Sequence, residues 1–431
     1  MIKLFSLKEE SKTIKISLLI SCLILFFLIL FSIFYYGNGT LLGNFYTPNN
    51  DDVKFIRSAW DLVQTGIYSY HRPPAPTVFM MPGLSYTLSF LMLIFGKFGG
   101  ITALRIIQSV LQVFSLLLIF FIGRKLFNSK VGLVAVILDV LCIWEIWIPN
   151  LVLTETFFKF FVLCLVFFSL YALEKNKVKY YAIGGLFLGL SALFRPTIVT
   201  YPLLILIIWI IKKVKFKDAL KYALIVTAVF CLVMSPWWIR NYSIFHRFIP
   251  LSIATGNPML QGTFISYNQK TKATDGLDYS NYNINDPKLS EIERNDMEIA
   301  LSKYRLKTLF PKEPLKFIYW YTISKSWIQL NYPFYWKVIF GVSYNQAKEY
   351  NFLLLIMCIL GALFHFLTKN KNKLALLPIM TILYFIVVYL PFYTMGRYFY
   401  PAMPYVLIFA ANFIVNSFSK FKGVILKIKL I

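Results

Sequence analysis

Apolar residues recur in membrane-length runs along nearly the whole chain. The polar intervals between them are of two kinds, short and lysine-rich or long and mixed. A spanning helix needs about 20 predominantly apolar residues. Ten runs approach or meet that length, at 16–36, 103–123, 131–148, 151–173, 181–194, 196–211, 219–238, 352–368, 374–393 and 401–418. The pairs 131–173 and 181–211 are nearly continuous and break at Pro149 and at Arg195-Pro196. Proline disfavours helix at the preceding residue, so the chain is predicted to turn there. The run 16–36 is too long for the core of a cleaved leader, and no small-residue cleavage site follows it, so it is expected to remain as a helix.

The run 82–96 is ambiguous. As a helix it rises about 22 Å, less than the roughly 30 Å hydrocarbon core. Lysine placement arbitrates. If 82–96 does not span, the clusters Lys3/Lys8/Lys12/Lys15, Arg124/Lys125/Lys130, Lys175/Lys177/Lys179, Lys212/Lys213/Lys215/Lys217, Lys369/Lys371/Lys373 and Lys420/Lys422/Lys427/Lys429 all fall on one side. If it spans, the first cluster is stranded opposite the rest. The run is therefore predicted to be an interfacial helix on the outer face. Ten spans with both termini cytoplasmic follow, with outer segments at 37–102 and 239–351. The second outer segment has turns around 268–287 and a predicted helix over 287–309, with Glu291, Glu293, Asp296 and Glu298 toward its start. No repeat or low-complexity linker divides the chain. One membrane domain, 1–431, is expected, with a small cap built from its own loops.

Composition agrees with the pattern. Hydrophobic residues make up 58% and charged residues 15%, against about 45–50% and about 25% in soluble domains. The net charge of +25 needs no nucleic acid, because lysines on the cytoplasmic side account for it. The five cysteines lie scattered in apolar runs without ligand spacing, so neither a disulfide frame nor a metal site is indicated. A divalent cation is left open. No HExxH, P-loop, GxGxxG or GxSxG motif occurs, which leaves ATP-driven transport and zinc proteolysis without support.

The expected topology brings ionisable residues to the outer surface from distant parts of the chain. The first loop supplies Asp51, Asp52, Arg57, Asp61, His71 and Arg72. Glu145 and Glu155 lie near the outer ends of the third and fourth spans, and Arg195 at the turn between the fifth and sixth. Arg240 and Asn241 follow the seventh span, and Arg397 and Tyr398 the ninth. Charged groups at membrane depth are costly and commonly mark function. A single arginine can simply anchor its helix among head groups. Three helix ends delivering arginine to the outer face point instead to a shared anion such as a phosphate. The tryptophans Trp144, Trp147, Trp237 and Trp238 read as an interfacial belt. Glu155 and Lys159 have i,i+4 spacing and can neutralise one another. Asp139 lies mid-span and either pairs across helices or stays protonated.

Taken in order, these motifs resemble the GT-C class of membrane glycosyltransferases, in the protein-mannosyltransferase and aminoarabinose-transferase group. Asp51-Asp52 with Phe55, Ala59, Leu62, Gly66 and Tyr68 resembles that group's acidic pair and first juxtamembrane helix, although the group commonly has Asp-Glu and a tyrosine at the Phe55 position. Pro82-Gly83 and Tyr86 through Phe95-Gly96 are similar to the second juxtamembrane helix. Arg105, Gln108, Thr154-Glu155, the glycine-containing span ending in Arg195-Pro196, Pro236-Trp237 with Arg240-Asn241-Tyr242, and Arg397-Tyr398 with Pro401 and Pro404 continue the match. The C-terminal soluble domain of some relatives has no counterpart in this sequence, which leaves the acceptor class undefined.

The resemblance implies an all-α polytopic fold with outer-face juxtamembrane helices. It implies transfer of a sugar from a polyprenyl-phosphate donor to a lipid, glycan or protein acceptor outside a bacterial inner membrane, with inversion. Asp51 is then the base, with Asp52 as its support or its alternative. Arg240, Arg195 and Arg397 take the donor phosphate, with Arg240 foremost, and Glu155, Asn241, Tyr398 and Arg57 support them. Two other readings compete: an O-antigen-type polymerase, and a non-enzymatic flippase or transporter of lipid-linked sugars. The latter predicts interrupted midplane helices and internal repeats, and neither is evident.

Overall fold

The computed structural model describes residues 2–428 except 48, 274 and 369–371. Of the lysines named above, Lys369, Lys371 and Lys429 lie outside the described residues. The described residues form helices joined by loops, with no strand among them, in the order α1 (Lys12–Tyr36), α2 (Asp51–Thr65), α3 (Gly83–Leu126), α4 (Ser129–Val140), α5 (Ile143–Trp147), α6 (Glu155–Lys175), α7 (Val178–Phe194), α8 (Pro202–Ile211), α9 (Phe216–Phe245), α10 (Gly256–Gly262), α11 (Glu291–Leu309), α12 (Pro314–Tyr319), α13 (Lys325–Asn331), α14 (Tyr344–Leu367), α15 (Leu376–Val387) and α16 (Met403–Ile428).

Among the described residues six helices are long and apolar enough to cross a membrane, or seven if the 68° bent pair Ser129–Val140 and Ile143–Asn150 is one span. The shorter apolar helices Val178–Phe194, Pro196–Ile211 and Lys373–Val387 occupy the remaining three of the ten expected positions. The count of ten full-length spans is therefore not reproduced. Local chemistry explains the shortening. Pro196 opens a tight 3-10 turn over Pro196–Thr200 before α8 begins at Pro202. In the second outer segment the helix starts at Glu291 rather than 287, because Ser290 caps it and exchanges hydrogen bonds with Glu293.

Apolar periodicity assigns each helix its depth. α6 is apolar on all faces and buried on nearly all of them, and Tyr405 to Ala411 of α16 are fully buried. α1 instead turns Leu19, Leu23, Phe27, Phe31 and Phe34 outward, which suits a lipid-facing position. In α3 the helix breaks at Gly96, whose φ of 73° lies in the left-handed region that glycine enters without steric cost. This is where the sequence ended its interfacial element, and Phe90, Leu93, Ile94 and Phe95 before the break are exposed.

The two long loops pack against each other. Arg72 Nη1 donates to Leu289 O at 3.0 Å, Thr77 Oγ1 to Glu291 Oε2 at 2.6 Å, and Ile253 N to Val78 O at 3.0 Å. They therefore share one end of the bundle, beside the start of α3. The end of α3 lies among basic loops, where Arg124 pairs with Glu10 at 3.0 Å, Lys125 with Glu174 at 2.9 Å, and Asn372 donates to Leu126 O at 3.1 Å.

One expected pairing is replaced. Glu155 and Lys159 do not neutralise each other, because Lys159 Nζ turns to Glu145 Oε2 at 2.5 Å, with both side chains fully buried. Tyr400 and Gln112 donate to the same carboxylate. A buried charge without a partner is far costlier than a paired one, so helices α3, α5 and α6 and the 396–402 turn lock around Glu145. Glu145 is thus an interior group rather than part of the outer surface. Asp139 is fully buried, and neither carboxyl oxygen makes a hydrogen bond to the described residues.

Candidate active site at the loop-bearing end of the bundle

The acidic pair opens α2, and the helix separates its two carboxylates. Asn50 caps the helix, and Val53, Phe55, Ile56 and Ala59 form its buried face. Asp52 lies on that buried face and Asp51 beside it. Asp52 is fully buried, and its carboxylate accepts from the backbone N–H groups of Leu42 (2.5 Å), Gly43 (3.2 Å) and Val53 (2.8 Å). It ties the chain leaving α1 to the first turn of α2. Burial pushes its carboxyl above the usual carboxylate range against the pull of these donors, and the neighbouring Asp51 charge adds to the rise.

Asp51 faces the other way. Its side chain is 30% exposed, Oδ2 lies 2.9 Å from Arg397 Nη2, and the Tyr70 hydroxyl donates to Oδ1 at 3.2 Å. Burial pushes this carboxyl up, but the Arg397 guanidinium, with help from Lys54 and Tyr70, outweighs it and holds the group below its usual range. Arg57 donates to Tyr70 O and so steadies the strand of chain that carries that hydroxyl.

From Asp51 the charges run on without a gap. Arg397 Nε lies 3.8 Å from Glu155 Oε1, and Arg195 Nη2 pairs with the same oxygen. Arg195 Nε also donates to Thr154 Oγ1 at 2.9 Å. Both guanidinium groups lie 5.4 Å from the ring centre of Tyr398, which stacks on Tyr389 at 4.6 Å. Residues from α2, the α5–α6 connection, the Arg195-Pro196 turn and the 396–398 turn thus form one string, Asp51–Arg397–Glu155–Arg195–Thr154. The string borders a cavity of about 190 Å³, walled among others by Phe55, Met81, Thr154, Arg195, Tyr389 and Arg397. Ser252, Ala254, Thr255 and Pro258 of the second long loop add to the wall.

The structure does not bring Arg240 to this cavity. Its Nη1 donates to Thr77 O at 2.7 Å and to Asn241 Oδ1 at 3.0 Å, and its guanidinium stacks over Tyr68, Trp237 and Phe245. Asn241 is fully buried and donates to Ile249 O at 3.1 Å. These two residues join the end of α9 to both long loops, and the aromatic seat that stacks Arg240 holds it away from the cavity wall. Sequence reasoning missed Tyr70 and Tyr389, since neither sits at an informative spacing, and it missed the cavity wall at 252–258. Among the described residues no group of three or more His, Cys, Asp or Glu is placed to hold a metal ion. Asp51 pairs with Arg397, and Glu155 pairs through Oε1 with Arg195 while its Oε2 is buried without a hydrogen bond to the described residues.

Residues 74–239 match the family model described as dolichyl-phosphate-mannose-protein mannosyltransferase. No curated protein matches the chain at a significant level. Among solved structures, the Archaeoglobus fulgidus oligosaccharyltransferase in the apo form aligns over 98% of this chain and 53% of its own, with 15% identity and a TM-score of 0.56. The archaeal oligosaccharyltransferase AglB from the same organism, in complex with an inhibitory peptide and a dolichol-phosphate, aligns over 97% and 52%, with 14% identity and a TM-score of 0.53. A looser likeness, with a TM-score of 0.42 and 11% identity over 94% of this chain and 78% of the other, is to ArnT from Cupriavidus metallidurans bound to undecaprenyl phosphate. The chain spans about half the length of the oligosaccharyltransferases it resembles. Its fold is the GT-C fold, and its likeness to the mannosyltransferase family model is confined to residues 74–239.

Proposed function

We propose that the protein is a membrane glycosyltransferase that moves a sugar from a polyprenyl-phosphate donor to an acceptor hydroxyl at the loop-bearing end of the bundle. That end faces away from the cytoplasm, and the lysine-rich end with both termini faces it. The whole chain acts as one membrane domain. The observation that carries the reading is the unbroken string of Asp51, Arg397, Glu155 and Arg195 beside one cavity at the loop-bearing end.

Each group has a task in a single displacement. Asp51 takes the proton from the acceptor hydroxyl as its oxygen attacks the anomeric carbon. The bond from that carbon to the phosphate oxygen breaks, and its electron pair leaves with polyprenyl phosphate. Arg195 and Arg397 offset the charge that grows on the leaving phosphate, and fixed cations do so without reorganising at the moment of reaction. Glu155 holds the two guanidinium groups side by side, which like charges would otherwise resist. Attack opposite the leaving group inverts the anomeric centre.

The test is a purified protein in lipid vesicles supplied with a polyprenyl-phosphate sugar and envelope extract as acceptor. Release of polyprenyl phosphate that requires acceptor and is lost in Arg195→Ala is the expected result. Uptake of the lipid-linked sugar across the bilayer without bond cleavage would replace the enzyme reading with transport.

A further inference from the structure

Arg397 is under-used where it stands. A guanidinium carries five N–H donors. Here Nη2 donates to Asp51, while Nε is buried without a hydrogen bond, its Glu155 neighbour standing 3.8 Å away. The side chain is 12% exposed and lines the cavity. Glu155 has a closer cation of its own in Arg195, so it does not depend on Arg397. Asp51 does depend on it, having no other cation in hydrogen-bond contact among the described residues.

Within the string itself the charges sum to zero, with two arginines against Asp51 and Glu155. A phosphate entering the cavity adds negative charge. Arg195 is held at both Thr154 and Glu155, so the less tethered cation, with more donors to spare, is Arg397. A carboxylate bound to arginine is also a poor proton acceptor, because the guanidinium stabilises its charged form. The resting pair therefore silences the base that the reaction requires.

We propose that Arg397 is an exchange latch, which leaves Asp51 for the donor's phosphate and so frees the base only when donor is seated. This rests on the glycosyltransferase reading above. No bond is made or broken in the exchange, and one charge-assisted contact replaces another. Its benefit is order. Without donor, Asp51 remains paired. With donor bound, the same guanidinium that released the base sits on the leaving group.

Competition for one guanidinium has a thermodynamic signature, because two partners that exclude each other must show negative coupling. Removing the Asp51 charge should therefore tighten binding of a polyprenyl phosphate while slowing transfer. The probe is undecaprenyl phosphate in detergent micelles, titrated against wild type, Asp51→Asn, Arg397→Gln and the double variant. Asp51→Asn should bind about 5- to 50-fold more tightly than wild type, within the usual range of coupling between sites. In the Arg397→Gln background, where Arg195 still lines the cavity, adding Asp51→Asn should change affinity less than about twofold.

A gain that persists without Arg397 would mean simple repulsion between carboxylate and phosphate, and would overturn the latch. Equal or weaker binding by Asp51→Asn than by wild type would overturn it too, with the glycosyltransferase reading left standing. Absence of any binding by wild type would overturn both.

Discussion

The acidic pair offers a sharp separation of roles, because one carboxylate is held by backbone amides and the other by Arg397 of the cavity wall. Consider Asp52→Asn. The carboxylate accepts from the amides of Leu42, Gly43 and Val53, using both oxygens. Asparagine has one accepting oxygen, so its own N–H₂ must confront at least one of these donors. A hydrogen bond to a charged group contributes about 1.5–3 kcal/mol, and a stranded buried donor costs about 1–3 kcal/mol. Burial of the Asp52 charge is itself unfavourable, and the substitution relieves that cost. The net loss should therefore fall near the lower part of the combined range, about 2–3 kcal/mol. Asp51→Asn keeps an acceptor for Tyr70 and sits partly in solvent, so its stability should change by less than about 1 kcal/mol. Its transfer rate should fall about 10²–10⁴-fold, the usual contribution of a general base. Melting followed by tryptophan fluorescence in detergent, and product formation from a polyprenyl-phosphate sugar, read the two effects separately. An Asp52→Asn protein that melts like wild type but no longer transfers would move the chemistry to Asp52. Wild-type transfer by Asp51→Asn would remove Asp51 from the mechanism.

Two further perturbations probe the surroundings of the site. Arg240→Ala should lower stability by about 2 kcal/mol, through lost contacts to Thr77 and Asn241. Affinity for undecaprenyl phosphate should shift less than about twofold, and a tenfold loss instead would return Arg240 to the phosphate site. Burial without a carboxylate partner depresses the amine of Lys325, fully enclosed against Leu390 O and Phe392 O, to about 7. Between about pH 7 and pH 10 the unfolded chain then binds more protons at this position than the folded one, so stability rises with pH across that window. The melting temperature of wild type should accordingly gain on that of Lys325→Met as pH is raised from 7 to 10, and parallel curves would show that Lys325 keeps an ordinary basicity when folded.

What the sequence disclosed was set by local physics. Spans show because each helix must be apolar over its own length, and the break at Gly96 shows because length and lysine placement both demand one near there. The arginines at 195 and 397 were legible as cations at helix ends, and Glu155 as a carboxylate at the start of a span. Which carboxylate meets which cation was not legible. Lys159 and Glu155 have ideal i,i+4 spacing, yet each prefers a partner from another helix, because interior packing rotates Lys159 toward Glu145 and leaves Glu155 facing Arg195. Arg240 carried the most specific motif and still fell outside the cavity, since motif strength reports a constrained position and not the ligand. Tyr70 reaches Asp51 only because α2 and the following loop fold back on each other, which no spacing rule encodes.

The pairing of Asp51 with Arg397 also sets a timetable for biogenesis. The partners are 346 residues apart. At roughly 5–20 residues per second, a ribosome needs on the order of 20–70 s to make the second after the first. Until then Asp51 of every nascent chain lacks that partner, while Glu155 waits only 40 residues for Arg195. The inner half of the site can therefore set early, during insertion. The outer half closes when the last hairpin leaves the translocon, so a chain stalled before that point is a nearly complete membrane protein with no assembled site.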